Sequence, residues 1–108
     1  MKAIYWQKGK VMDIKNNGVD KIEAGDIVII KNRIGVAGCD VAINEAGTLH
    51  VVGVYEIPKA ETEAVEYGDA LYYDSENEVV TKTVSGVKAG YAFQSRATGD
   101  KTILVKID

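Results

Sequence analysis

Eleven glycines and a single proline cut this chain into short runs rich in Val, Ile, Thr and Tyr, and apolar residues almost nowhere recur at helical spacing. Turn formers alternating with β-branched segments of this length mark sandwiches and small barrels. The sequence therefore predicts an all-β fold, a small barrel or sandwich of short strands. Asn16-Asn17-Gly18 follows the strand-like residues 11–15, and an Asn-Gly pair supplies the positive φ angles of a tight hairpin turn. A first hairpin is expected to turn there. Across residues 48–57 the odd positions Leu49, Val51, Tyr55 and Ile57 are apolar, which reads as one long half-buried strand. Ile103, Val105 and Ile107 alternate with Thr102 and Lys106, so a last strand is expected at the C-terminal end. Residues 58–68 carry good helix formers, but the segment is short and poorly amphipathic, giving a turn or two of helix at most.

The chain also resembles itself. Glu23-Ala24-Gly25-Asp26-Ile27-Val28 returns 43 residues later as Glu66-Tyr67-Gly68-Asp69-Ala70-Leu71. Ile34-Gly35-Val36-Ala37 returns 55 residues later as Ala89-Gly90-Tyr91-Ala92, and Ala46-Gly47-Thr48 is echoed by Thr98-Gly99-Asp100. The growing offset predicts about 12 extra residues in the second half, and residues 74–87 read as an inserted hairpin. Two related β halves, about 22–57 and 65–107, follow within one β domain spanning 10–108. Duplication and the shared grammar of β-hairpins both account for the match. Residues 1–9 lie ahead of the pattern as an extended N-terminal arm.

Composition narrows the function. A chain of 108 residues buries one core and does not hold two independent domains. The formal net charge is -3 and no run of Lys or Arg occurs, so the electrostatic footprint of a nucleic-acid binder is missing. One cysteine, Cys39, excludes an intramolecular disulfide and suits folding in a reducing cytoplasm. No signal peptide is expected, because charges interrupt the N-terminal segment before an apolar stretch forms, and no window approaches a membrane span.

The chemistry-bearing residues point away from catalysis, and no catalytic, cofactor or metal site is predicted. His50 is the only histidine, which removes multi-histidine metal sites. Cys39 with His50 is the one formal nucleophile and base pair, but a cysteine more often serves as a small hydrophobe. Glu61, Glu63, Glu66 and Asp69 read as a solvated acidic connector rather than a glycosidase pair. Asp74-Ser75-Glu76-Asn77-Glu78 opens like a calcium loop, but Val79 stands where the turn glycine belongs. Gly9-Lys10 lacks the remainder of a phosphate loop.

Four segments carry a family resemblance. Val52-Gly53-Val54-Tyr55-Glu56-Ile57-Pro58-Lys59, then a linker of about ten residues, then Gly68-Asp69-Ala70-Leu71-Tyr72-Tyr73-Asp74 are similar to the two signature segments of the phage capsid cement, or decoration, family. Val80-Thr81 and Ala89-Gly90-Tyr91-Ala92 extend the likeness, which runs from about Ile22 to Ile107 in order and spacing. The family pattern has a single aromatic or a Tyr-Trp pair where this chain has Tyr72-Tyr73. Some members carry a recombinase-like label, which the missing phosphate loop does not support here.

The resemblance implies a non-enzymatic structural protein of the bacteriophage virion. It would be made in the host bacterial cytoplasm and bound on the phage head exterior as a homotrimer, stabilising the expanded lattice of the major capsid protein. Ile4, Tyr5 and Trp6 on the arm are the candidate capsid contacts, since nothing near them in sequence buries them. Packing of Tyr5 and Trp6 on the chain's own sheet or in a subunit interface is the other reading. The alternative function is a bacterial cell-surface or polysaccharide-binding β module, with aromatic residues on a β face stacking on sugars.

Overall fold

The computed structural model describes every residue except Trp6, Ser85 and Asp108. Among the described residues there are nine strands and no helix: β1 (Val11–Lys15), β2 (Ile27–Ile30), β3 (Arg33–Ala37), β4 (Ala46–His50), β5 (Gly53–Pro58), β6 (Ala70–Asp74), β7 (Val79–Thr81), β8 (Val87–Ala92) and β9 (Thr102–Ile107). They form two antiparallel sheets, ordered β1-β4-β3-β2 and β5-β9-β8-β6-β7. The molecule measures 40 × 40 × 20 Å, and its short axis suits two sheets stacked about 10 Å apart. The expected sandwich of short strands is what forms.

With β7 set aside, the two sheets, built from β1–β4 and from β5–β9, have one strand order; β5 belongs to the second unit and not with the residues 22–51 that precede it. Their turns repeat too. Residues 23–26, 42–45, 66–69 and 97–100 each close with the fourth N–H donating to the first carbonyl, at 3.0, 3.0, 3.0 and 3.1 Å. The third residue has positive φ each time: Gly25 at 89°, Asn44 at 66°, Gly68 at 89° and Gly99 at 96°. This is the requirement of a type II turn, met by Gly or Asn. In three of the four, the aspartate at the fourth position turns back to accept the first residue's N–H: Asp26 from Glu23 at 2.9 Å, Asp69 from Glu66 at 2.8 Å and Asp100 from Ala97 at 2.9 Å. The Gly-Asp landmark is thus a self-capped turn.

Four local expectations need correction. β1 pairs with β4, not β2, so Asn16-Asn17-Gly18 does not close a hairpin. Asn16 is instead buried; its side chain donates to the carbonyls of Asp20 and Val41 and accepts Gly18 N–H, which redirects the chain locally. The single long strand over 48–57 divides at Val51 and Val52 into β4 and β5, which belong to different sheets. Period two continues across that break, so the pattern alone does not show it. Residues 58–68 form turns and a parallel bridge from Lys59 to Val80 instead of helix. The third landmark is misaligned: Gly47 lies within β4, and the true counterpart of residues 97–100 is the turn at 42–45.

The core lies between the sheets. Ile34 and Val36 from β3 meet Ile57, Leu71, Val80, Ala89, Ala92, Ile103, Val105 and Ile107 from the other sheet, with Ile27 and Tyr55 packed at the margin. The inserted strand β7 contributes Val80 to this core, so the insertion is part of the fold rather than an appendage. Gly90 sits at the closest approach of β8 to β9: its φ is 151°, and a Cβ there would collide with the Lys106 carbonyl oxygen.

Candidate functional surface

Residues 1–5 and 7–10 are all exposed. Among the described residues no strand forms before Val11, and Ile4 and Tyr5 are 85% and 80% exposed. Packing of Tyr5 on the chain's own sheet is therefore not seen within one subunit; Trp6 lies outside the described residues. The arm leaves the fold where Val51 N–H donates to the Lys10 carbonyl at 3.0 Å, next to the β4–β5 break.

A second apolar surface lies on the outer face of the five-stranded sheet. Val54, Lys106 and Tyr91 are cross-strand neighbours on β5, β9 and β8, and the Lys106 ammonium lies 6.0 Å from the Tyr91 ring centroid, at the outer limit of a cation–π contact. Phe93 and Tyr67 are exposed as well, next to the pair joined where Gly68 N–H donates to the Ala92 carbonyl at 2.9 Å. The sequence reading missed this face, although the alternation of Ile103, Val105 and Ile107 inward already implies that Leu104 and Lys106 point outward.

Of the residues weighed for catalysis or metal binding, Glu63, Asp69 and Asp74 bond neighbouring turns and loops, whereas Cys39 is not the small buried hydrophobe expected from the sequence. Cys39 is exposed, its sulfur 4.0 Å from the Thr48 hydroxyl, and His50 Nε2 lies against Gly38. Glu63 ties the connector to β7 by accepting from the Thr81 hydroxyl and from Lys82 N–H at 2.8 Å. Asp74 accepts from Asn77 Nδ2 at 2.7 Å and from the N–H groups of Asn77 and Glu76. These bonds, the Asn77 side chain foremost, hold its carboxyl below the usual aspartate range. Asp40 is likewise lowered, by Ala24 N–H first and by Lys21 at 3.4 Å. Burial raises the Tyr73 phenol. Among the described residues, no three His, Cys, Asp or Glu side chains converge as metal ligands, and no helix is long and apolar enough to cross a membrane.

An open cleft of about 750 Å³ lies between the connector and β7, with Lys59, Glu61, Glu63, Asp74, Asn77 and Thr81 on its walls. Lys59 is buried, yet among the described residues its ammonium faces no carboxylate at bonding distance; it donates to the carbonyls of Ala60 at 2.8 Å and Asp100 at 3.3 Å. It stands 43 residues after Asn16, the same offset as the first two turns, and each of the two ends an opening strand by holding backbone carbonyls of the loops beside it. The cleft's polar groups thus largely serve the fold.

Beyond the core between the sheets, exposed apolar side chains lie at Ile4 and Tyr5 and, on the outer face of the five-stranded sheet, at Val54 and Tyr91, while many of the polar side chains bond turns and loops. The family model for phage cement proteins matches residues 6–107. The chain belongs to the phage cement protein family, a family of phage capsid structural proteins. No curated protein and no solved structure gives a significant match.

Proposed function

We propose that the protein binds the outer surface of the phage head as a homotrimer and stabilises the expanded lattice of the major capsid protein, without catalysing a reaction. The family match over residues 6–107 carries this reading. Ile4, Tyr5 and Trp6 are the proposed capsid contacts, because an apolar arm with Ile4 and Tyr5 unburied by its own fold gains most from a partner surface. The physical logic is linkage. A ligand that docks on the expanded state and not on the unexpanded one stabilises the former by mass action, and many copies on one shell make modest single contacts sufficient.

Co-sedimentation with decoration-free cognate heads tests the proposal. Saturable binding to expanded heads, weaker binding to unexpanded ones and resistance of the decorated shell to heat are expected, with the free chain's mass measured in parallel. Failure to bind cognate heads, together with retention on bacterial glycans, would transfer the reading to a polysaccharide-binding module that uses Tyr67, Tyr91 and Phe93.

A further inference from the structure

The two sheets have four edges among the described residues, and three are protected in the ways that suppress unwanted strand pairing. β1 carries Asp13 and Lys15. β5 carries Glu56 and ends in Pro58. β7 has only three residues, and its outer side is covered where Ala60 N–H donates to the Val80 carbonyl at 3.0 Å. β2, Ile27–Ile30, is Ile-Val-Ile-Ile, with neither charge nor proline, and its pairing with β3 runs in continuous register from Ile27 with Val36 to Ile30 with Arg33.

The parity of antiparallel pairing identifies its open groups. The Asp26 carbonyl accepts Ala37 N–H at 2.9 Å and so faces β3; Val28 and Ile30 share its parity. The N–H and C=O groups of Ile27 and Ile29 therefore point away from the sheet.

The second half of the molecule shows what such an edge accepts. β6 is the counterpart of β2, and there the edge is filled: β7 pairs antiparallel through Tyr72 with Thr81, Tyr73 with Val80 and Asp74 with Val79, and Val80 is fully buried. Tyr72 lies 43 residues after Ile29. Among the described residues the first half has no strand in that place, since β2 runs straight into β3 through Lys31 and Asn32.

We propose that the open β2 edge is a docking site for an extended, β-branched-rich strand of the phage shell protein, which pairs antiparallel with Ile27–Ile30 as β7 pairs with β6. This rests on the shell-binding reading above and names the surface through which it acts. The occupant follows from size. Four residues give about 13 Å of strand, and a stable pairwise interface buries roughly 1,200–2,000 Å², more than this edge covers alone. Such an edge is a poor basis for an isolated dimer and a good one for a shell, where many weak contacts act together.

Ile29→Pro tests the assignment, because the Ile29 N–H faces outward and its loss leaves the β2–β3 ladder intact. Ile29→Thr is the control, retaining the N–H and a β-branched side chain. Affinity for expanded heads should fall at least tenfold with proline and stay within about threefold with threonine. In wild-type protein, hydrogen exchange at the Ile27 and Ile29 amides should be fast in the free chain and slowed on heads, a readout that stands even if the proline variant folds poorly. Equal binding by wild type and Ile29→Pro, or amides unprotected on heads, overturns the docking site while leaving shell binding in place. Amides already protected in the free chain, with a mass that Ile29→Pro reduces, assign the edge to a second copy and overturn the proposal. Failure of wild type to bind cognate heads removes the shell-binding reading and this inference with it.

Discussion

Lys59 shows how one residue holds a turn. Its ammonium is buried with two backbone carbonyls as partners, an arrangement that keeps a charge out of water only while both acceptors remain in place. Lys59→Met preserves the apolar stem but leaves the Asp100 and Ala60 carbonyls without that donor. Urea unfolding should show a loss of about 1–3 kcal/mol, and an unchanged midpoint would mean that water replaces the ammonium. The glycines make a sharper comparison. Gly99 has φ 96° with no atom within 4 Å of a Cβ, so Gly99→Ala should cost about 1 kcal/mol from backbone strain alone. Gly90→Ala meets the Lys106 carbonyl as well and should cost more than 3 kcal/mol, on the order of the most disruptive substitutions. Asp74 adds a pH term. Its carboxyl is lowered by the hydrogen bonds from Asn77 and Glu76, so the ionised form belongs to the folded turn. That contribution is present above the unfolded pKa near 3.9 and is lost as pH falls through the lower folded value. Asp74→Asn should therefore weaken the acid-side slope of the urea midpoint below about pH 4; an identical slope would show that the turn does not sense the charge.

At the scale of elements, period two and turn chemistry are local, and they were legible. The last strand, the Gly-Asp turns and the inserted hairpin follow from nearest-neighbour rules. Partner choice is not local. Val11–Lys15 reads as a strand in any context, but nothing near it in sequence says that β4 rather than β2 lies beside it. The break between β4 and β5 was hidden because Val51 and Val52 suit a strand interior as well as a sheet-to-sheet crossing. The turn at residues 42–45 was missed because Asn44 does there what glycine does elsewhere. The open β2 edge was not legible, since its meaning depends on a strand that only the other half possesses. The arm yields an element-scale expectation. Deleting residues 1–9 removes none of the described strands, so the melting temperature should remain within about 2 °C, less than a 1 kcal/mol change produces at this size. A larger fall would make the arm part of the fold. Val80→Ala lies at the other extreme: it empties a fully buried position that joins the insertion to the core and should cost about 2 kcal/mol.

For the whole molecule, a slab 20 Å thick and 40 Å across presents broad faces and little depth, a shape suited to lying along a surface. On the proposed docking, stabilisation of the shell is not a fixed increment but a function of free concentration. The favoured lattice gains RT ln(1 + [L]/Kd) per site, about 2.7 kcal/mol at one hundred times Kd, and this gain continues to grow after the sites appear full. The disruption temperature of expanded heads should therefore keep rising with added protein beyond the point where sedimentation reports saturation. Removing residues 1–9 should displace that curve to higher concentration without changing its slope, because the arm alters Kd and not the number of sites. A disruption temperature that stops rising at saturation would point instead to a kinetic clamp, with undocking too slow to track concentration during heating. Equal protection of unexpanded heads would remove the preference for one lattice state on which the mass-action argument depends.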